Sequence, residues 1–321
     1  MRLIAVINQK GGVGKTTTCV NLGAALAESG RRVCLVDMDP QANLSLHLGR
    51  EIDGGEPSIY SVLLGQTDFA QALRPTGTPG LSVVASNIDL SGAEVELASA
   101  IGRETLVRDA VAAWEQEHRE RTAQAPADYL IFDCPPSLGL LSVNALAAAR
   151  EVLITVQTEY LALMGMSKLL EVVQLIRRRL NPQLTVTGIV ACLYDSRLRL
   201  AREVLGEVRR FFPGQVFAQC VRSNVKLAEA PSHGMTILEY AKSSNGARDY
   251  RALAAELIAQ EGMSGESEPA EEDLPTRILR AAPAPVSGQS QEKGSALDIE
   301  LRALGGVRAV RTARDGAARD T

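Results

Sequence analysis

Residues 10–17 read Lys-Gly-Gly-Val-Gly-Lys-Thr-Thr, a glycine-rich turn that closes on Gly-Lys-Thr. That ending has a specific chemical use. Glycines let backbone N–H groups close around phosphate oxygens, the lysine reaches the β- and γ-phosphates, and the hydroxyl reaches Mg²⁺. Gly11, Gly12, Val13 and Gly14 are thereby assigned the backbone donors, Lys15 the β/γ-phosphates and Thr16 the Mg²⁺, with Thr17 completing the nucleotide-contacting stretch. A helix starting there points its positive end at the anion. The usual pattern is G-x-x-x-x-G-K-[ST]. Here Gln9 stands in the first glycine position, and a second lysine, Lys10, stands at the loop entrance.

Carboxylates form a second set. The apolar run Val33–Val36 leads into Asp37-Met38-Asp39-Pro40, and Tyr129–Phe132 leads into Asp133-Cys134-Pro135-Pro136. In an open α/β sheet, ligands bind beyond the carboxyl ends of the strands, so both segments can converge on the phosphate loop. An apolar strand ending in Asp is the Walker B arrangement, which places Asp133 on Mg²⁺ through a water. A strand-end Asp is also an ordinary turn or cap residue; the phosphate loop is what favours the metal role.

These residues need a scaffold that brings strand ends together. Apolar strand-like runs recur at Leu3–Ile7, Arg32–Val36, Leu81–Ala85, Tyr129–Phe132, Val152–Val156, Thr185–Cys192 and Val216–Val221, with helical stretches between them. The alternation predicts an α/β fold with a doubly wound, mostly parallel sheet covered by helices. Helices are expected over Thr16–Ser29, stopped by Gly30; over Glu104–Arg121, with Val107, Val111 and Trp114 on one face; and over Lys168–Leu180, before Asn181-Pro182.

A chain of 321 residues can bury a full α/β core. Its longest apolar runs fall short of a membrane span, and the N-terminal run lacks the cleavage signature of a signal peptide, so a cytoplasmic location is expected. Five cysteines, without a C-x-x-C pair, read as reduced packing residues. A net charge of −4 argues against a protein basic all over but leaves room for a local basic patch. Residues 1–261 are expected to form the folded domain. Residues 262–321, rich in Gly, Ser, Glu, Pro, Ala and Gln, have too few large apolar groups to offset ordering entropy and read as a disordered tail, interrupted by short patches at Leu274–Leu279 and Leu297–Val310.

Taken in order, the motifs Gln9–Thr17, Asp37–Asn43, Ser91–Glu94, Asp133–Gly139, Gln157–Leu161 and Asn224–Gly234 make the chain resemble the ParA/Soj-type partition ATPases. These belong to the deviant Walker A, SIMIBI-type P-loop NTPases, a group that also contains the MinD-like proteins. The resemblance implies ATP and Mg²⁺ as cofactors. It implies that Lys10 crosses an ATP-dependent homodimer to the partner's phosphates, that Asp39 orients the attacking water, and that Asp37 and Asp133 support Mg²⁺. Asn224 matches the adenine-contacting position, while Arg222 replaces a usual proline and Ser223 a frequent arginine. Non-specific DNA binding is implied through Arg197 and Lys226, with Arg199, Arg202, Arg209 and Arg210 nearby. A ParB-like partner that stimulates hydrolysis, a nucleoid-associated location and a task in chromosome or plasmid segregation complete the expectation.

Three other readings differ in a feature each. A membrane-cycling MinD-like regulator calls for a basic amphipathic C-terminal helix, and Leu297–Val310 is interrupted by Gly305-Gly306 and lacks aromatic anchors. An iron–sulfur relative calls for a second cysteine matching Cys134. A cargo-positioning relative keeps the ATPase dimer and changes only its load.

Overall fold

The computed structural model describes residues 1–159 and 162–262. Residues 160–161 and 263–321 lie outside the described residues, and with them nearly all of the expected tail and both of its patches.

Seven strands make one sheet: β1 (Arg2–Ile7), β2 (Val33–Asp37), β3 (Leu73–Pro75), β4 (Leu81–Val84), β5 (Tyr129–Asp133), β6 (Glu151–Gln157) and β7 (Thr185–Cys192). Their order is β3-β4-β2-β5-β1-β6-β7, parallel throughout except for β3 against β4. β2 and β5 are buried at every residue, with no in-out alternation. Strands covered by helices on both faces have this continuous apolar character. The winding reverses at β1, which has β5 on one side and β6 on the other. Such a switch point opens a crevice at the strand ends, and the glycine-rich turn follows β1 directly.

The helix after that turn, α1 (Lys15–Glu28), is buried along most of its length. It lies between the sheet and the helix Asn245–Ala259, whose Tyr250, Leu253, Ala254 and Leu257 share its apolar cluster. This sandwiching explains why α1 is apolar nearly all round. Its close approach to β2 depends on Gly23, where an added Cβ would stand 2.9 Å from Leu35 Cδ2. Leu22 and Leu26 are fully buried, and truncating either to alanine costs about 2–5 kcal/mol. The helix Leu106–Thr122 buries Val107, Val111 and Trp114, the face expected from their spacing.

Three elements differ from expectation. Val216–Val221 is not a continuous strand: it runs beside β7 through the isolated bridge Ile189↔Val216 and single backbone bonds such as Val221 N–H to the Ala191 carbonyl, with a further bridge Tyr194↔Arg222 just beyond it. The N–H groups of Ala218 and Gln219 donate instead to the Glu256 carboxylate, at 2.7 and 3.0 Å, which removes them from the ladder. β3 is an unexpected edge strand of three residues ending on Pro75, a position where a missing N–H costs no pairing. The helix expected from Lys168 begins at Ala162 and runs to Arg179. Among the described residues, no helix is long and apolar enough to cross a membrane.

Candidate functional site

The turn from β1 into α1 is shaped as a phosphate cradle. Gly12 and Gly14 have φ of 74° and 84°, left-handed values that favour glycine, and Gly14 is the N-cap of α1. Val13 is buried and anchors the turn, while Gly11 and Gly12 face outward. Lys15 is only 7 % exposed, an unusual degree of burial for a lysine. Its ammonium donates to the Lys10 carbonyl at 3.3 Å, across the mouth of the loop. Thr16 and Thr17 are half-buried on the first turn of α1. Cys192, the last residue of β7, stands 3.5 Å from where a Gly14 Cβ would be, so the end of β7 abuts the loop.

Register places the carboxylates. Asp37 and Asp133 are direct partners at the ends of β2 and β5, and Val6 of β1 is level with them. Both are fully buried. Burial pushes the Asp133 carboxyl well above the usual carboxylate range and neighbouring Asp37 adds to this, while the Thr16 hydroxyl and the Lys15 ammonium pull it back. One Asp133 oxygen, Oδ2, has no hydrogen-bond partner at all. A buried, unpartnered carboxylate oxygen beside a threonine hydroxyl suits a hard cation, and Mg²⁺ is typically held by one or two such groups with water and substrate phosphates. The pair Thr16 and Asp133 therefore fits that ion.

Asp37 is engaged elsewhere. Its Oδ2 accepts the Ser45 N–H at 2.9 Å and the Ser45 hydroxyl at 2.7 Å, and its Oδ1 accepts the Asp39 N–H at 3.2 Å. Burial raises its pKa and these bonds oppose the rise. Asp37 thus anchors the segment from Asp39 into the short helix Asn43–His47. Asp39 sits in that segment, with Oδ1 accepting the Gln41 N–H at 2.9 Å and its carbonyl accepting the Ser86 hydroxyl at 2.9 Å. Ser45 and Ser86 carried no local sequence signal, because each acts through a contact formed only in the fold.

Lys10 lies on the exposed side of the loop. Its ammonium donates to Glu159 Oε2 and, at 3.3 Å, to Gln157 Oε1, both just beyond or at the end of β6. Asn224 is half-buried and caps the helix Val225–Glu229, accepting the Lys226 N–H at 2.8 Å. Tyr194↔Arg222 is a parallel bridge, so the loop carrying Arg197 and the segment carrying Asn224 and Lys226 emerge together beyond β7. The two expected DNA contacts are paired within the chain: Arg197 with Asp195 at 2.7 Å and Lys226 with Glu229 at 2.8 Å. Arg222 has an unforeseen role. Its guanidinium and its backbone N–H both donate to buried Asp249, fastening this segment to the helix Asn245–Ala259.

At the opposite ends of the strands a second cleft is lined by Arg2, Arg31, Asp128, Glu151 and Glu261. Its charges are matched as Arg2–Glu151 and Arg31–Glu261, with Tyr129 donating to Glu261.

A doubly wound sheet with this loop at its switch point defines a P-loop nucleotide-binding fold. The family described as an AAA domain matches residues 1–186. The chromosome partitioning protein ParA of Myxococcus xanthus is 46 % identical over 260 residues, covering 81 % of this chain and 89 % of that protein. The sporulation initiation inhibitor protein Soj of Bacillus subtilis is 44 % identical over 258 residues, 80 % and 98 % of the two chains. Among solved structures, a Mycobacterium smegmatis protein described as cobyrinic acid a,c-diamide synthase, with bound ADP and magnesium, is 36 % identical with a TM-score of 0.69 over 84 % of this chain and 98 % of that one. The chain belongs to the ParA/Soj family of partitioning ATPases.

Proposed function

We propose that this chain is an ATP-switched partition ATPase. In this reading ATP binding pairs two copies face to face, the pair binds DNA without sequence preference, and hydrolysis stimulated by a ParB-like partner resets it, moving chromosome or plasmid DNA. The observation that carries the reading is the split of labour between two lysines: Lys15 is buried over the loop, whereas Lys10 is half exposed on its outer side, within reach of a second molecule.

Each residue then has a physical task. The N–H groups of residues 11–14 and the start of α1 bind the phosphates, and Lys15 neutralises the β/γ oxygens. Thr16 and Asp133 would hold Mg²⁺, which would supply charge neutralisation at the transferred phosphoryl group. Asp39 orients the attacking water, and Asp37 acts through Asp39 and Ser45 by holding their segment in place. Lys10 reaches the partner's phosphates, so its stabilisation of developing charge exists only in the pair. Asn224 offers its free amide to the base, and Arg197 and Lys226 belong to the DNA-facing surface.

The test is retention on DNA at low salt. Asp39→Ala with ATP should yield pairs that stay on DNA, and Lys15→Ala should yield neither pairs nor retention. Absence of any ATP-dependent retention in the unaltered chain would sink the proposal.

A further inference from the structure

The motif Gln157–Leu161 has no task in the reading above, yet the structure sets its first and third residues on Lys10. The Lys10 ammonium is bonded to Glu159 and Gln157 and to no phosphate-facing group of its own loop. The entrance of the loop is fixed to the same place. Asn8 donates through Nδ2 to the Thr155 carbonyl of β6 at 2.5 Å and accepts the Lys10 N–H at 2.9 Å. Backbone and side chain of Lys10 are therefore both oriented by β6 and the residue pair at its end.

We propose that Glu159, assisted by Gln157, is a positioning residue that holds Lys10 in cis, and that pairing of two subunits exchanges this carboxylate for the partner's phosphates. The inference rests on the two-subunit reading. An ammonium engaged by its own chain's carboxylate is unavailable to a second molecule, so the ion pair competes with assembly. The competition is mild by construction: the Lys10 and Glu159 side chains are 53 % and 50 % exposed, and ion pairs of that exposure are weak. A weak hold suits a switch, because triphosphate charge on the facing subunit can displace a single carboxylate. Without nucleotide there, Lys10 stays at home, and chance encounters between empty subunits gain nothing from it.

Two measurements on the full chain test this. In the nucleotide-free protein, acetylation of Lys10 by acetic anhydride, followed by mass spectrometry, should be about two- to fivefold faster in Glu159→Gln, since the neutral amide releases the ammonium. With a slowly hydrolysed ATP analogue, sedimentation should show the Glu159→Gln pair forming at about three- to twentyfold lower concentration, two holds being removed per pair. Unchanged Lys10 reactivity overturns the cis hold. Faster reactivity with weaker pairing overturns the competition and assigns Glu159 a contact across the pair. If the unaltered chain forms no ATP-dependent pair at any concentration, the two-subunit reading falls and the competition with it, an outcome distinguishable from the others because it appears without any substitution.

Discussion

The ends of β1, β2 and β5 and the surface beyond β7 are both rich in charge, and they treat it in opposite ways. At the strand ends the charges are buried and joined in no ion pair: Asp37 is held by neutral donors, Asp133 Oδ2 has no hydrogen-bond partner, and Lys15 has only a carbonyl at 3.3 Å. Beyond β7 they are mostly matched: Arg197 with Asp195, Arg199 with Glu203, Arg210 with Glu207, Lys226 with Glu229 and Arg222 with Asp249. Burying an unmatched charge is destabilising, and a fold keeps such an arrangement where a ligand completes it. The first region is thus prepared for an anion and a cation together. In the second, Arg202 and Arg209 stand out, because they donate to the carbonyls of Ser196 and Ala218 and meet no carboxylate among the described residues.

The contrast can be broken most directly at Lys15. Lys15→Ala should weaken ATP–Mg²⁺ binding on the order of 100-fold or more, measured with a fluorescent ATP analogue; near-normal binding would mean that the buried charges serve the fold alone. Asp133→Asn should separate stability from activity, raising unfolding free energy of the nucleotide-free chain by about 1–3 kcal/mol while lowering hydrolysis about 100-fold. The same residue sets a pH dependence. Asp37 and Asp133 have pKa values raised by burial, so above the usual carboxylate pKa of about 4 the native state binds more protons than the unfolded one and stability falls as pH rises. Denaturant titrations of Asp133→Asn should show a flatter fall.

Beyond β7, Arg222→Ala leaves buried Asp249 short of its strongest donors and should cost about 1–3 kcal/mol in chemical denaturation. The smallest effect sharpens the contrast rather than breaking it. In DNA binding followed against salt, the double change Arg202→Ala, Arg209→Ala should reduce the log–log slope by about 2, since each phosphate contact contributes about 0.9. Arg197→Ala or Lys226→Ala should each reduce it by less, because Asp195 and Glu229 already balance them.

Much of the nucleotide end was legible because its residues are contiguous or stand at the ends of apolar runs. Gly11–Thr16 and Asp133 announce their placement through strand, turn and helix order, while the register that pairs Asp37 with Asp133 came from the structure. What escaped is chemistry between distant segments. No periodicity tells that Glu256 takes the N–H groups of Ala218 and Gln219 away from a strand, that Ser45 occupies Asp37, or that Glu159 meets Lys10. The three residues of β3 are too short to show alternation. Arg197 and Lys226 were visible as cations, but their partners Asp195 and Glu229, two and three residues away, are what set the charge that another molecule would meet.

The bond from the Arg222 backbone N–H to Asp249 at 3.0 Å is one that a proline at this position could not make. Proline at position 222 would remove both the guanidinium and the N–H that the buried Asp249 carboxylate accepts from, leaving it the Gln219 amide at 3.2 Å. A designed proline at position 222 that left Asp249 untouched would therefore move this protein toward unfolding, however well a proline suited the local turn.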